Sequence, residues 1–374
     1  MSTSKVPLLD VGAQNKPLKE EILNALSQLL DSSAFILGPE VKALEDEIAA
    51  YTGIPRAIAC ASGSDALLLP LMCENIGPGD EVLVPSFTFY ATAGAVARLG
   101  ATPVFVDSDD TYNISLEDLA KKITPRTKAV IPVHLFGQMV DMEALTTVIK
   151  KSGRKITVIE DCAQSIGASF KGKQCGAWGD YGAFSFYPTK NLGAIGDAGL
   201  VSALTETDAQ KVRMVRVHGS KQRYYHELVG VNSRLDSIQA AVLRIKLRHL
   251  AEYERKREAI ASSYTQLFQA ARLEAVRLPV MGPNRKHVWN QFTIRAQRRD
   301  ELKTFLGEQG VGAEIYYPLA MHRQQAFQFF LKGPCSLPVC EALEKEVLSL
   351  PIYPEMPLAH TQRVVEQITH FYKK

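Results

Sequence analysis

The chain has 374 residues, 46% hydrophobic and 22% charged, and its 43 basic and 40 acidic residues leave a net charge of +3. This length predicts two domains of an ordinary globular protein rather than one minimal core. The near balance of charge argues against nucleic acid or a membrane surface as main partner, and no apolar run reaches the roughly 20 residues of a membrane span.

Cysteines stand at 60, 73, 162, 175, 335 and 340, with no CxxC pair. The opening MSTSKVPLLD has no charged start followed by an apolar core. These features predict reduced thiols in a cytoplasmic protein. Cys335 and Cys340 lack a second ligand pair for zinc, so no metal is expected.

In chain order, residues 17–30 carry apolar side chains at helical spacing, with Pro17 suited to the first turn. Gly38-Pro39 opens a second helix. From there, strand and helix patterns alternate. Strands are predicted at 57–60, 81–84, 103–106, 128–133, 156–159 and 183–186, and helices at 64–73, 88–99, 116–123 and 142–150. Such alternation predicts a largely parallel α/β sheet covered on both faces, with binding residues at the carboxyl ends of its strands. Residues 235–268 predict one long, charged helix with a solvated face, leading into a smaller α/β domain. The expected division is 1–250 for the large domain, N-terminal helices included, and 251–374 for the small one.

Three stretches could carry chemistry. Ser62-Gly63-Ser64-Asp65 follows a strand and opens a helix, whose free N–H groups suit a phosphate; Ser and Asp could equally be caps alone. Neither a Walker A sequence nor GxGxxG occurs. Asp161 ends an apolar strand, where a carboxylate needs a cation such as a protonated pyridine nitrogen, or serves as a cap or ion pair. Lys190 lies in SFYPTKNLG, followed by glycines at 193, 196 and 199. It is either a surface lysine or a desolvated amine able to join a carbonyl and move a proton. A carboxylate, the Ser185 hydroxyl and a lysine at strand ends are what pyridoxal 5′-phosphate (PLP) requires. His134, in an apolar run, reads as a core histidine, and His218-Gly219 as a turn.

The segments FILGPEV, ASGSDAL, GDEVLVPSFTF, EDCAQSIGA, FSFYPTKNLGAIGDAG, GVNSRLDSIQAAVL and LSLPIYPEM each resemble motifs of the DegT/DnrJ/EryC1/StrS sugar aminotransferase family. The resemblance runs from about Val6 to Phe371. It implies PLP fold type I, with a mostly parallel, mixed seven-stranded sheet between helices and a smaller C-terminal α/β domain. Lys190 would carry the cofactor and Asp161 would pair the pyridine nitrogen. Gln164 would lie beside the ring, Phe89 would stack on it, and Gly63, Ser64 and Ser185 would hold the phosphate. Asn232 would reach the phosphate from the neighbouring subunit of a homodimer. Arg234, Tyr317 and His322 would contact substrate. The family often has Thr at the position of Ser64 and Pro at that of Ala320.

The activity implied is transfer of an amino group from L-glutamate to a nucleotide-linked keto-sugar, with ping-pong kinetics and pyridoxamine 5′-phosphate as the alternate cofactor form. GVNSRLD and HGSKQRYYHELVG resemble enzymes acting at C3, including those using UDP-3-keto sugars with a C6 carboxylate, which Arg234 could pair. The alternatives are a C4 or dTDP-keto-sugar aminotransferase, a racemase or β-lyase on the same fold, and a non-catalytic binding or regulatory protein. Family dehydratases lack the lysine, which is present here.

Overall fold

A computed structural model describes residues 5–331 and 333–373. Seven strands form the main sheet: β1 (Ala57–Cys60), β2 (Glu81–Pro85), β3 (Thr102–Val106), β4 (Thr127–Val130), β5 (Thr157–Asp161), β6 (Tyr181–Ser185) and β7 (Gly199–Ala203). Their spatial order is β1-β7-β6-β5-β4-β2-β3. Only β7 runs against its neighbours; the β6-β5-β4-β2-β3 pairings are parallel.

The strands are apolar throughout because both faces are covered. Ile58, Val82 and Val84 pack into one core, and their alternate neighbours Ala59 and Leu83 into the other. The first core is closed by α3 (Gly63–Cys73), α4 (Tyr90–Arg98) and α7 (Glu206–Val215). The second is closed by α2 (Pro39–Thr52), α5 (Leu116–Lys122), α6 (Met142–Lys151) and α8 (Ser237–Leu247). Helix α1 (Lys19–Ser32) joins α8 through Ile22 and Val242.

The predicted strand at 128–133 is shorter in the structure. It ends at Val130, and Val133 makes an isolated bridge to Asp161. The single helix expected over 235–268 is two, α8 and α9 (Leu250–Ala271). Its charges form a solvated face only in part: Arg248, Glu252, Arg255, Lys256 and Glu258 are exposed, but the others are not. Lys246, Glu254 and Arg257 are buried, and Arg244 pairs with Glu40 at 2.8 Å and Glu47 at 2.6 Å. The helices are packed on several sides, so these charges tie elements together instead of facing water.

Leu250, at the start of α9, belongs to the second core, and Ile260, Tyr264 and Phe268 to a third. That third core also gathers Val6, β8 (Val276–Arg277), β9 (Phe292–Ala296), α10 (Arg299–Glu308), β10 (Val347–Leu350) and α12 (Ala359–Lys373). Strands β8, β9 and β10 form a separate antiparallel sheet. We propose this change of core as the division near residue 250. Ala320, Met321 and Phe327 return to the first core, as does α11 (Pro338–Glu346) through Cys340 and Leu343. All six cysteines are free thiols. Among the described residues, no helix is long and apolar enough to cross a membrane.

Candidate active site

Strand pairing brings the candidate residues together. In register, Cys60 faces Gly199, and Gly199 faces Ser185. The start of α3 and the end of β6 therefore converge across one intervening strand. The contact is so close that a side chain at Gly63 would begin 2.4 Å from Ser185 Cβ, and one at Gly199 would begin 2.3 Å from the Ser62 carbonyl oxygen. Only glycine permits that approach. Ser62 caps α3, its hydroxyl accepting the Asp65 N–H at 3.1 Å. The N–H groups of Gly63 and Ser64 have no partner among the described residues. The result is a cradle of free donors at a positive helix end.

Asp161 ends β5 and is buried. Its Oδ2 accepts the Thr92 hydroxyl at 2.9 Å, and its Oδ1 accepts the Ala163 N–H at 3.1 Å. Burial pushes its carboxyl above the usual range, while these two bonds and the charges of Lys190 and His134 pull it down. Lys190 follows β6 in a turn where its N–H donates to the Tyr187 carbonyl at 2.8 Å. Its side chain makes no hydrogen bond among the described residues. Burial pulls its ammonium down to about 8, and Asp161 acts in the opposite direction. A lowered ammonium is what a lysine needs to act as nucleophile and base near neutral pH.

The lysine turn is held from behind by residues the sequence did not signal. The fully buried Lys246 donates to the Gly193 carbonyl at 2.9 Å. Asn191 donates to the Val288 carbonyl at 2.9 Å and accepts from Asn290 at 2.8 Å.

Gln164 is also buried. Its Oε1 accepts the Phe136 N–H at 2.7 Å, and its Nε2 donates to the Tyr317 hydroxyl at 3.2 Å. The Tyr317 ring lies 6.1 Å from Phe89 and 6.2 Å from Phe87. Phe89 is 56% exposed, an open aromatic face beside the site. Ser233 ties its loop to the chain's own α3: it donates to Asp65 at 2.9 Å and accepts the Ala61 N–H at 3.3 Å. Asn232 and Arg234 flank it in the same loop. Asn232 is exposed, and Arg234 Nε is buried without a partner.

His322 is buried against the turn after β2. Its ring is 2% exposed, with Nδ1 2.7 Å from Ser86 Oγ and Nε2 3.5 Å from Glu341. It braces the turn after β2 that leads to Phe87 and Phe89. Ala320, where relatives often carry proline, uses its N–H on Glu344 at 3.0 Å, a bond proline cannot make. His134 is a core histidine: Nε2 lies 2.8 Å from Glu160, and Nδ1 accepts the Val140 N–H at 3.2 Å. Glu160 also accepts the N–H groups of Gly176, Trp178 and Gly179, so this cluster's polar atoms are already engaged.

The sequence pattern of the DegT/DnrJ/EryC1/StrS aminotransferase family matches residues 16–369. The chain belongs to this family. It is similar to a Geobacillus stearothermophilus protein called a pleiotropic regulatory protein, 47% identical, with 98% of this chain and 99% of the relative covered. It is 45% identical to UDP-N-acetyl-3-dehydro-alpha-D-glucosamine 3-aminotransferase of Acidithiobacillus ferrooxidans, covering 98% of each. Among solved structures, DesV of S. venezuelae superposes with a TM-score of 0.95 at 41% identity over 100% of both chains. The fold is PLP fold type I, and the protein is a PLP-dependent sugar aminotransferase. The residues fit that cofactor. A buried carboxylate short of a cation, a lysine with a lowered ammonium, and a donor-lined space at Gly63 match its pyridine nitrogen, aldehyde and phosphate in turn.

Proposed function

We propose that the protein transfers the amino group of L-glutamate to the ketone of a nucleotide-linked 3-keto-sugar, with a UDP-3-keto-hexuronic acid derivative among the candidate substrates. The observation that carries the transaminase chemistry is the pairing of Lys190 with Asp161 at neighbouring strand ends, each with its ionisation displaced by burial. The name of the Acidithiobacillus ferrooxidans relative supports a C3 ketone on a UDP-sugar. The catalytic set is complete in Lys190, Asp161 and Ser185, which favours catalysis over the regulatory role that the Geobacillus relative's name suggests.

Bound PLP supplies an electron sink for the carbanion left when a proton leaves the amino-bearing carbon. Within this reading, Lys190 carries that proton between substrate carbon and cofactor. Asp161 holds the ring nitrogen in its cationic form. The start of α3 and Ser185 anchor the phosphate, and Gln164 with Tyr317 fixes one side of the ring's seat. Phe89 covers a ring face. His322 acts through the turn it braces, as a positioning residue.

The site is shared in a homodimer. Ser233 claims the helix start of its own chain, so Asn232 is free for the site of a second copy. Exposed apolar side chains near this rim, including Ile36, Tyr187, Ile195 and Val229, support an interface there.

Arg234 is the proposed partner of the C6 carboxylate, because its buried Nε lacks a protein acceptor. Turnover of a UDP-3-keto sugar with and without that carboxylate tests this. Arg234→Ala should lower kcat/KM for the acidic sugar by about 10- to 150-fold, the worth of a charge-assisted hydrogen bond, and barely affect the neutral one. Equal losses on both would refute the carboxylate role.

A further inference from the structure

The two threonines of the PSFTFYAT segment, Thr88 and Thr92, are absorbed by no step above. Thr92 Oγ1 lies 2.9 Å from Asp161 Oδ2 and 3.2 Å from Thr88 Oγ1, and all three side chains are buried. A threonine hydroxyl has one proton. Thr92 gives its proton to the carboxylate, which can only accept. The bond between the threonines must then run from Thr88 to Thr92. A hydroxyl that accepts a hydrogen bond is polarised into a stronger donor. The pair is also stiff, since both side chains are β-branched and packed.

We propose that Thr88 and Thr92 are positioning residues, forming a one-way hydroxyl relay that keeps Asp161 an anion for the pyridine nitrogen. The proposal rests on reading Asp161 as the partner of PLP. It adds that the charge of Asp161 is set from α4 as well as from the lysine turn. Other ionisable groups also act on Asp161. Lys190 faces it from the turn after β6, His134 from the connection after β4, Cys162 from the next position along the chain, and Tyr317 from the segment before Ala320. His134 is already committed to Glu160 and the Val140 N–H. Thr92 and the Ala163 N–H are the groups that hydrogen-bond the Asp161 carboxylate directly.

Pyridoxamine 5′-phosphate separates the relay from the lysine, because it has the same ring nitrogen and phosphate but forms no bond to Lys190. Its dissociation constant can be followed by protein fluorescence from pH 6 to 9, with wild-type, Thr92→Val, Thr92→Ser and Thr88→Val proteins freed of cofactor. Valine keeps the shape of threonine and removes the donor. Thr92→Val should bind about tenfold more weakly at pH 7. Its affinity should also begin to fall at a higher pH than in the wild type, since the unsupported carboxyl takes up a proton sooner. Thr92→Ser should restore both affinity and profile. Thr88→Val should move the profile in the same direction, with about a threefold loss. The relay is refuted if the valine variants keep the wild-type pH profile, or if serine at 92 does no better than valine. Should Thr92→Val not fold, the Thr88→Val profile decides alone. Wild-type protein that fails to bind the ligand would overturn the cofactor reading itself.

Discussion

On the floor of the site, Thr88, Thr92, Asp161 and the Ala163 N–H form one closed run of hydrogen bonds, and the Phe136 N–H, Gln164 and Tyr317 form another. At the rim, Ser64, Phe89 and Asn232 are exposed, and Arg234 has a buried nitrogen without an acceptor. The floor is finished within one chain, so its geometry exists before any ligand arrives. The rim keeps its donors and its aromatic face for groups the chain does not itself supply. Preorganisation belongs where charge develops during reaction, and unfinished surface belongs where specificity is read. Changes to the floor should therefore act on chemistry whatever the substrate. Changes to the rim should depend on substrate and on assembly.

The largest effect is expected on the floor. On the proposed reading, Lys190→Ala removes both the group that joins the cofactor and the proton carrier. Single-turnover conversion of glutamate should fall by roughly 10³- to 10⁴-fold, with little change in melting temperature because no hydrogen bond of the side chain is lost. A variant keeping a tenth of wild-type activity would show that the floor does not carry the chemistry.

The rim should show a smaller effect that depends on assembly. Asn232→Ala should weaken PLP binding by about tenfold, the worth of one hydrogen bond to a charged group. Mixing it with Lys190→Ala provides the sharper test. If Asn232 serves the partner's site, a hybrid dimer contains one intact site, and at a PLP concentration that leaves Asn232→Ala largely empty an equal mixture should recover about a quarter of wild-type activity. If Asn232 serves its own chain, the mixture should only average the two parents. Averaging would move the rim into the same single-chain class as the floor and erase the contrast.

Legibility in the sequence follows the same division. Asp161 and Lys190 stood out as candidates because each follows an apolar strand run, where an ionisable residue is costly unless it works. The α/β class followed from the alternation of those runs. Strand β7 escaped because its apolar run, GLVSA, starts at the last of the three spaced glycines and carries a buried serine. The break between α8 and α9 was hidden because Arg248 and His249 interrupt neither the periodicity nor the charge pattern. Thr92, Lys246 and Asn290 left no local trace, since each acts on a partner 53 to 99 positions away. One clue was present. Thr88 and Thr92 stand four apart within the helix predicted over 88–99, a spacing that would share a face, though α4 itself begins only at Tyr90.

The smallest predicted effect is a shift along the pH axis, and it tests whether the two sides of the floor are electrically coupled. If Lys190 is the group that joins PLP, it must react as the neutral amine, and burial lowers its ammonium to about 8. The rate at which cofactor-free protein takes up PLP, followed by absorbance, should therefore rise with pH and reach half its maximum near pH 8. An ordinary exposed lysine would still be rising above pH 10. The negative charge of Asp161 favours the ammonium form, so removing it with Asp161→Asn should move the half-point below that of the wild type. Thr92→Val should move it the same way but by less, because it weakens the charge on Asp161 without abolishing it. An unchanged half-point in both variants would mean that desolvation alone sets the lysine. The carboxylate and the amine would then be neighbours on one floor without being a coupled pair.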